Sequence, residues 1–231
     1  MTEKMREELQ NPERESMDRD WLIRRLDPQR TAVLVVDVQN DFCAEGGWYD
    51  RIGYDVSAGQ AAARQLETFL PQARRRGFQI IFVKCHYDRA YLPRVMVESY
   101  QHKGLPLDYC IEGTWGAEFY GVQPEEGDLV VTKHRYSAFV GTNMDLILRS
   151  NGMENVVVAG VATNICVDST ARDAYMRDYR VTVLDDCCGT YDRRLHEATM
   201  ENIRRAFGVV VNSQDVIEVT AGSDGSAVTA D

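Results

Sequence analysis

The chain has 231 residues, enough for one sizeable core, and its 44% hydrophobic and 27% charged residues exclude a disordered or fibrous class. Its net charge of −10 and the lack of any Lys/Arg stripe longer than "RRLDPQR" or "ARRRG" argue against a nucleic-acid partner. No apolar run approaches the ~18 residues of a bilayer span, and the polar opening "MTEKMREELQNPERESMDRD" lacks a signal-peptide core; a cytoplasmic protein without a membrane partner is expected.

Residues 1–30 are highly charged with weak periodicity and read as an N-terminal arm. In "TAVLVVDVQNDF" an unbroken apolar run from Ala32 to Val36 ends in Asp37. A β-branched run without alternation predicts a strand buried on both faces, as in a parallel sheet. The Gly-rich loop "AEGGWYDRIGYD" leads to a helix over 57–76, with Ser57 as N-cap and Gly77 as stop. "FQIIFVKCH" is the second strand. Residues 87–127 are rich in Tyr, Gly and Pro without clear periodicity, and read as a long loop of the kind that forms a lid or pocket wall.

"DLVVTKH" is the third strand, ending in Lys133, and "TNMDLILRSNG" a short helix closed by Gly152. "NVVVAG" is the fourth strand, and "NICVDSTARDAYMRDY" the helix after it. "RVTVLDD", "RRLHEATMENIRRAFG" and "VVVNS" continue as strand, helix and strand, and "SQDVIEVTAG" makes a terminal helical turn. Strands alternating with helices predict an α/β fold with a mostly parallel six-stranded sheet. One domain spans 31–220, and 221–231 is a polar tail.

Binding sites of open α/β sheets lie at the carboxyl ends of the strands. Those ends carry Asp37, Lys133 and, through "GVATN", Cys166 in the first turn of a helix. A helix N-terminus and a nearby lysine both favour thiolate. An aspartate can take the thiol proton and hand it to a leaving amine, and free backbone N–H groups at the helix start can hold an oxyanion. Singly, each residue has an ordinary reading: a capping aspartate, a solvated lysine, a packed cysteine. The other cysteines, Cys43, Cys85, Cys110, Cys187 and Cys188, lack CxxC spacing and read as small buried hydrophobes.

The same segments resemble a known family. "VVDVQNDF" is similar to the first-strand motif of isochorismatase-like cysteine hydrolases, "VVTKHRYSAF" to their lysine strand, and "GVATNICVDSTARDA" to their nucleophile turn. The likeness runs in order from about Thr31 to Val219. It implies a three-layer α/β/α, Rossmann-like fold and a triad in which Asp37 is the general acid/base, Lys133 steadies negative charge and Cys166 attacks a carbonyl. It further implies a cis peptide between Val161 and Ala162, which turns the Ala162 amide, with that of Cys166, into an oxyanion hole.

The presence of Cys166 favours C–N hydrolysis through a thioester over the vinyl-ether chemistry of isochorismatases proper. "GGWYDRIGYDVS" looks like the loop of biuret and ureidoacrylate hydrolases, and "KHRYSAF" like the ureidoacrylate enzymes. A small ureido or carbamoyl compound is therefore the expected substrate, with nicotinamide or N-carbamoylsarcosine as the alternative. Gln39, Asn40, Tyr136 and Trp115 are candidate substrate contacts, with Trp48 and Tyr49 as possible walls. Arg89, Arg94 and Arg135 are candidate partners for a substrate carboxylate. "KCHYDRAY" supplies His86 and Asp88, but the next histidine, His102, is distant; no metal and no other cofactor are expected. His134 is expected to face away from Lys133 by strand alternation. A redox sensor or an interaction protein on the same fold are the non-enzymatic alternatives, and a homo-oligomer is expected.

Overall fold

The computed structural model describes residues 21–221; the expectations for 1–20 and for 222–231 fall outside them. Six strands form one sheet: β1 (Thr31–Val36), β2 (Gln79–Cys85), β3 (Leu129–Lys133), β4 (Asn155–Val161), β5 (Arg180–Gly189) and β6 (Gly208–Val211). Their order is β3-β2-β1-β4-β5-β6, and every pairing is parallel. Parallel neighbours need long crossovers. These carry helices α1 (Asn40–Cys43), α2 (Trp48–Arg51), α3 (Ser57–Arg75), α4 (Arg94–Lys103), α5 (Met144–Ser150), α6 (Asp168–Tyr175), α7 (Arg193–Ala206) and α8 (Ser213–Val219). None of the described helices is long and apolar enough to cross a membrane.

The unbroken apolar runs follow from burial on both faces. Along β1, Val33 and Val35 join one core with Leu66, Phe69 and Leu70 of α3, whereas Ala32, Leu34 and Val36 join the other with Met144 and Leu148 of α5. β4 divides the same way, with Val157 and Ala159 on one side and Val156 and Val158 on the other. Side chains alternate across a sheet, so a strand covered by helices on both sides has no polar position to offer. Each fully buried Leu or Phe contributes about 1.5–3 kcal/mol through apolar burial.

Two expectations need correction. Ser57 is the first helical residue of α3 and not its cap; its amide donates to the Asp55 carboxylate at 2.8 Å, so the aspartate two residues earlier does the capping. The loop over 87–127 contains α4 and a 3₁₀ turn, Trp115–Ala117. Pro93 leads into α4 and Gly104, at φ +66°, closes it. Its polar face and single buried residue, Met96, left little periodicity to read.

Chain order places the switch between β1, from which β2 and β3 step outward, and β4, which begins the other half. The two central strands pass very closely here. A Cβ on Gly160, whose φ is +122°, would stand 2.0 Å from the Val36 carbonyl oxygen. Only glycine fits that conformation and that gap. Gly160→Ala is expected to lower unfolding stability by about 2–4 kcal/mol through overpacking and backbone strain. Urea denaturation checks this, and a change below about 0.5 kcal/mol would contradict the packing described.

Candidate active site

The crevice at the carboxyl edge of β1 and β4 gathers the three reactive side chains. Asp37 follows β1 with φ +52°, its amide donating to Val83 O at 2.8 Å as the chain leaves the sheet. Lys133 ends β3, paired in register with Cys85 of β2, and its long stem runs over that strand to the crevice. Its Nζ lies 2.7 Å from Asp37 Oδ2 and 3.5 Å from Cys166 Sγ, and also donates to Arg135 O at 3.0 Å. Asp37 and Lys133 are 0% exposed and Cys166 is 7% exposed.

Cys166 does not open a regular α-helix, as the sequence suggested. It sits in a π-type turn, Thr163–Val167, and α6 begins only at Asp168. Ile165 N and Val167 N both bond to Ala162 O, at 3.0 and 3.3 Å. The Val161–Ala162 peptide is cis, and the Ala162 amide donates to no group among the described residues. The turn is anchored from outside: Thr163 Oγ1 bonds to His196 Nδ1 at 3.0 Å, and His196 Nε2 to Asp185 Oδ1 at 3.1 Å. Thr190 Oγ1 donates to Asn164 Oδ1 at 2.7 Å.

Burial sets the electrostatics. It pushes the Asp37 carboxyl above the usual carboxylate range, a rise that Lys133 only partly offsets. It also drives the Cys166 thiol well above its usual value; Lys133 pulls it back, while Asp37 pushes it further up. Burial thus outweighs the thiol-lowering expected at this position, of which the Lys133 part is present, and the sulfur rests protonated. Desolvation works against the Lys133 ammonium too, but Asp37, Cys166 and Cys85 more than reverse it and hold the lysine charged. The ammonium contacts Asp37 off the line of a good hydrogen bond, so neither carboxylate oxygen has an aligned donor among the described residues. Cys166 and that carboxylate share one ammonium, Lys133 Nζ lying 3.5 Å from the sulfur and 2.7 Å from Asp37 Oδ2. A buried base and a protonated thiol gathered around one fixed cation are the components needed to pass a proton from sulfur to carboxylate.

The proposed substrate contacts fare differently. Gln39 spends its amide on the scaffold: Oε1 accepts from Cys85 N at 2.9 Å, and Nε2 donates to Cys85 O at 3.2 Å and Ala117 O at 2.8 Å. Asn40 Nδ2 donates to Trp115 O at 2.8 Å, while the Trp115 side chain is 52% exposed. Gln39 and Asn40 thus tie the 115–117 turn to β1 and β2, and Trp115 enters through its carbonyl. The second aspartate of the motif, Asp41, is likewise structural, accepting from Trp48 N at 3.1 Å and Cys110 N at 2.6 Å. Trp48 is buried, with Nε1 on Pro106 O at 3.1 Å.

Tyr136 does border the site, close enough to Cys166 and Lys133 to feel their charges. So do Tyr49, Tyr87 and Tyr100 beside Cys166; the last two carried no motif and were missed. His134 lies beyond the end of β3, so strand alternation no longer governs it. It stacks on Tyr91 at 3.7 Å and bonds through Nδ1 to His86 O at 2.7 Å. His86 Nε2 lies 3.5 Å from Asp88 and 3.9 Å from Glu112. No three His, Cys, Asp or Glu side chains among the described residues are grouped as a metal ion would require.

The isochorismatase domain family matches residues 31–215. The chain is 33% identical over 204 residues to ureidoacrylate amidohydrolase RutB of Rhizobium rhizogenes, covering 82% of this chain and 83% of that protein. It is 33% identical over 222 residues to RutB of Acinetobacter baylyi, covering 89% and 90%. Among solved structures it is similar to N-carbamoylsarcosine amidase from Thermoplasma acidophilum, with TM-score 0.63 and 28% identity over 80% of this chain and 96% of that one. A cysteine hydrolase from Pseudomonas syringae pv. phaseolicola has TM-score 0.75 at 24% identity, covering 86% and 96%, a likeness of fold.

Removing either charge isolates the other. Lys133→Ala is expected to cost about 3–5 kcal/mol at neutral pH, because it leaves the Asp37 carboxylate buried without its counter-charge. A folded-state carboxyl raised above its unfolded value contributes stability at low pH that is lost as pH rises through the folded value. The deficit of the variant should therefore shrink on acidification through the raised Asp37 titration. Urea melts across pH check this; a deficit that grows on acidification would contradict the burial of that charge.

Proposed function

The chain belongs to the isochorismatase family and is a hydrolase of carbon–nitrogen bonds other than peptide bonds; from that premise we propose that it is a cysteine amidohydrolase acting on a small ureido or carbamoyl compound through a thioester. The observation that carries this reading is the position of Lys133 Nζ between the Asp37 carboxylate and the Cys166 sulfur. The resemblance to RutB supports an ureidoacrylate-type substrate, with biuret-type compounds sharing the same N–C(=O)–N unit.

In this mechanism Asp37 takes the thiol proton as Cys166 Sγ bonds to the carbonyl carbon. The carbonyl electron pair moves to oxygen, where the Ala162 and Cys166 amides receive it; such a donor is worth roughly 3–4 kcal/mol. Collapse breaks the C–N bond, and the nitrogen leaves as ammonia or amine with the proton from Asp37. Water then attacks the thioester, giving its proton to Asp37, and the second collapse returns that proton to sulfur. Lys133 stays charged throughout and faces whichever partner is negative. The raised Asp37 titration sets the acidic limb: activity is lost as pH falls through a value above the ordinary carboxylate range.

A screen for ammonia release against ureidoacrylate, biuret, N-carbamoyl amino acids and nicotinamide tests the reading. On the best substrate, Cys166→Ala is expected to lower kcat by about 10⁴-fold or more, and Asp37→Asn by about 10²–10⁴-fold. Full activity in Cys166→Ala would refute the mechanism.

A further inference from the structure

A cavity of about 310 Å³ opens next to the segment that follows Lys133, its wall mainly Tyr87, Pro93, Val95, Met96, Tyr100 and Tyr136, with Ser99 and His134 as polar members. Arg135, also in its lining, accepts through its carbonyl from Lys133 Nζ at 3.0 Å, and that ammonium lies 3.5 Å from Cys166 Sγ, so the cavity sits beside the three reactive side chains. Its volume is at the small end for ligand sites and about twice that of a cavity that holds one benzene ring, so it has room for a ring or branched alkyl group. Met96 is buried at its base, while Val95 is 74% and Tyr136 41% exposed at its lip. Apolar groups left open around a concave site gain free energy when a ligand covers them.

The charges on the wall decide what kind of ligand. No acidic side chain lines the cavity, and Arg135 is its one Lys or Arg. Arg135 Nη1 is tied to two carbonyls, Tyr91 O at 3.0 Å and His134 O at 2.5 Å, which holds the guanidinium along the exposed rim. Arg94 stands outside, paired with Glu98 at 2.7 Å in solvent. Within the wall, Tyr87 is 3% exposed and its hydroxyl has no partner among the described residues, which leaves an unpaired neutral polar group beside the apolar surface.

We propose that this cavity receives the substituent of the substrate, and that the substituent is uncharged and apolar: an alkyl or aryl group on the ureide or amide rather than a carboxylate. This rests on the amidohydrolase reading of Cys166: it keeps the N–C(=O)–N unit that the likeness to RutB supports and departs from an ureidoacrylate-type substrate in replacing its carboxylate with an apolar group.

The test uses alkylation, which needs no known substrate. Cys166 Sγ displaces iodide from a haloacetyl reagent, the C–I bond breaking as the S–C bond forms and the proton passing to Asp37. Rate constants for labelling the folded protein with iodoacetamide, N-benzyl-2-iodoacetamide and iodoacetate are compared by peptide mass, each normalised to its rate with glutathione. The benzyl reagent is expected to label Cys166 about tenfold faster than iodoacetamide, as burial of a ring implies, and iodoacetate more slowly than either. Val95→Glu, at the exposed lip, should reduce the benzyl advantage to about threefold or less. Equal normalised rates, including the case in which a second copy of the chain covers the lip, overturn the subsite while leaving Cys166 as nucleophile. Faster labelling by iodoacetate overturns it in favour of a carboxylate held by Arg135. If no reagent labels Cys166, both this proposal and the amidohydrolase reading fall.

Discussion

An ammonium buried between a carboxylate and a thiol is the constraint on which the site depends. Isolated charges are costly in an interior, and Asp37 and Lys133 are both sealed from water. Together with a protonated Cys166 they are neutral as a set. When a proton moves from sulfur to Asp37, the negative charge is relocated beside the same ammonium rather than created. That is why a thiol with a raised titration still suits nucleophilic work. In the proposed mechanism its proton needs a base held close by, not a resting thiolate, and Asp37, on the other side of the same ammonium, fills that role.

The fold serves this meeting. β1 and β4 lie side by side at the switch in strand order, so Asp37 and the turn bearing Cys166 leave the sheet together. Gly160 permits the close approach of the two strands just below them. Lys133 comes from two strands away, a span that favours a long, flexible side chain. The scaffold around the trio is polar but spent: Gln39 staples the ends of β1 and β2 to the 115–117 turn, Asp41 binds two backbone amides, and His196 bridges Thr163 to Asp185. With their bonding committed to the framework, these groups hold the trio in place and do not compete for its proton.

The sheet was legible because its strands are covered on both sides, which turns Ala32–Val36 and the run after Asn155 into uninterrupted apolar segments. The meeting of Asp37, Lys133 and Cys166 was legible because strand ends can be read from such runs and because the motifs around them are distinctive. Electrostatic sign was not: a helix start and a nearby lysine favour a lowered Cys166 titration, whereas burial, which no local pattern reports, raises it. Helix α4 was hidden because only Met96 of its ten residues is buried, leaving no apolar stripe. The scaffold bonds of Gln39 and Asn40 were hidden for a related reason, since their partners Ala117 and Trp115 lie 78 and 75 residues away in sequence. Tyr87 and Tyr100 come from that same segment, where side chains meet by tertiary folding and not by spacing.

The most direct measurement is intact-protein mass spectrometry on a millisecond acid quench of the enzyme turning over its best substrate. A transient adduct of acyl mass on the peptide containing Cys166, formed in step with one equivalent of released ammonia or amine, is the expected result. Turnover at full rate with no adduct at any quench time, and with Cys166 still open to alkylation under saturating substrate, would contradict covalent catalysis by the buried trio.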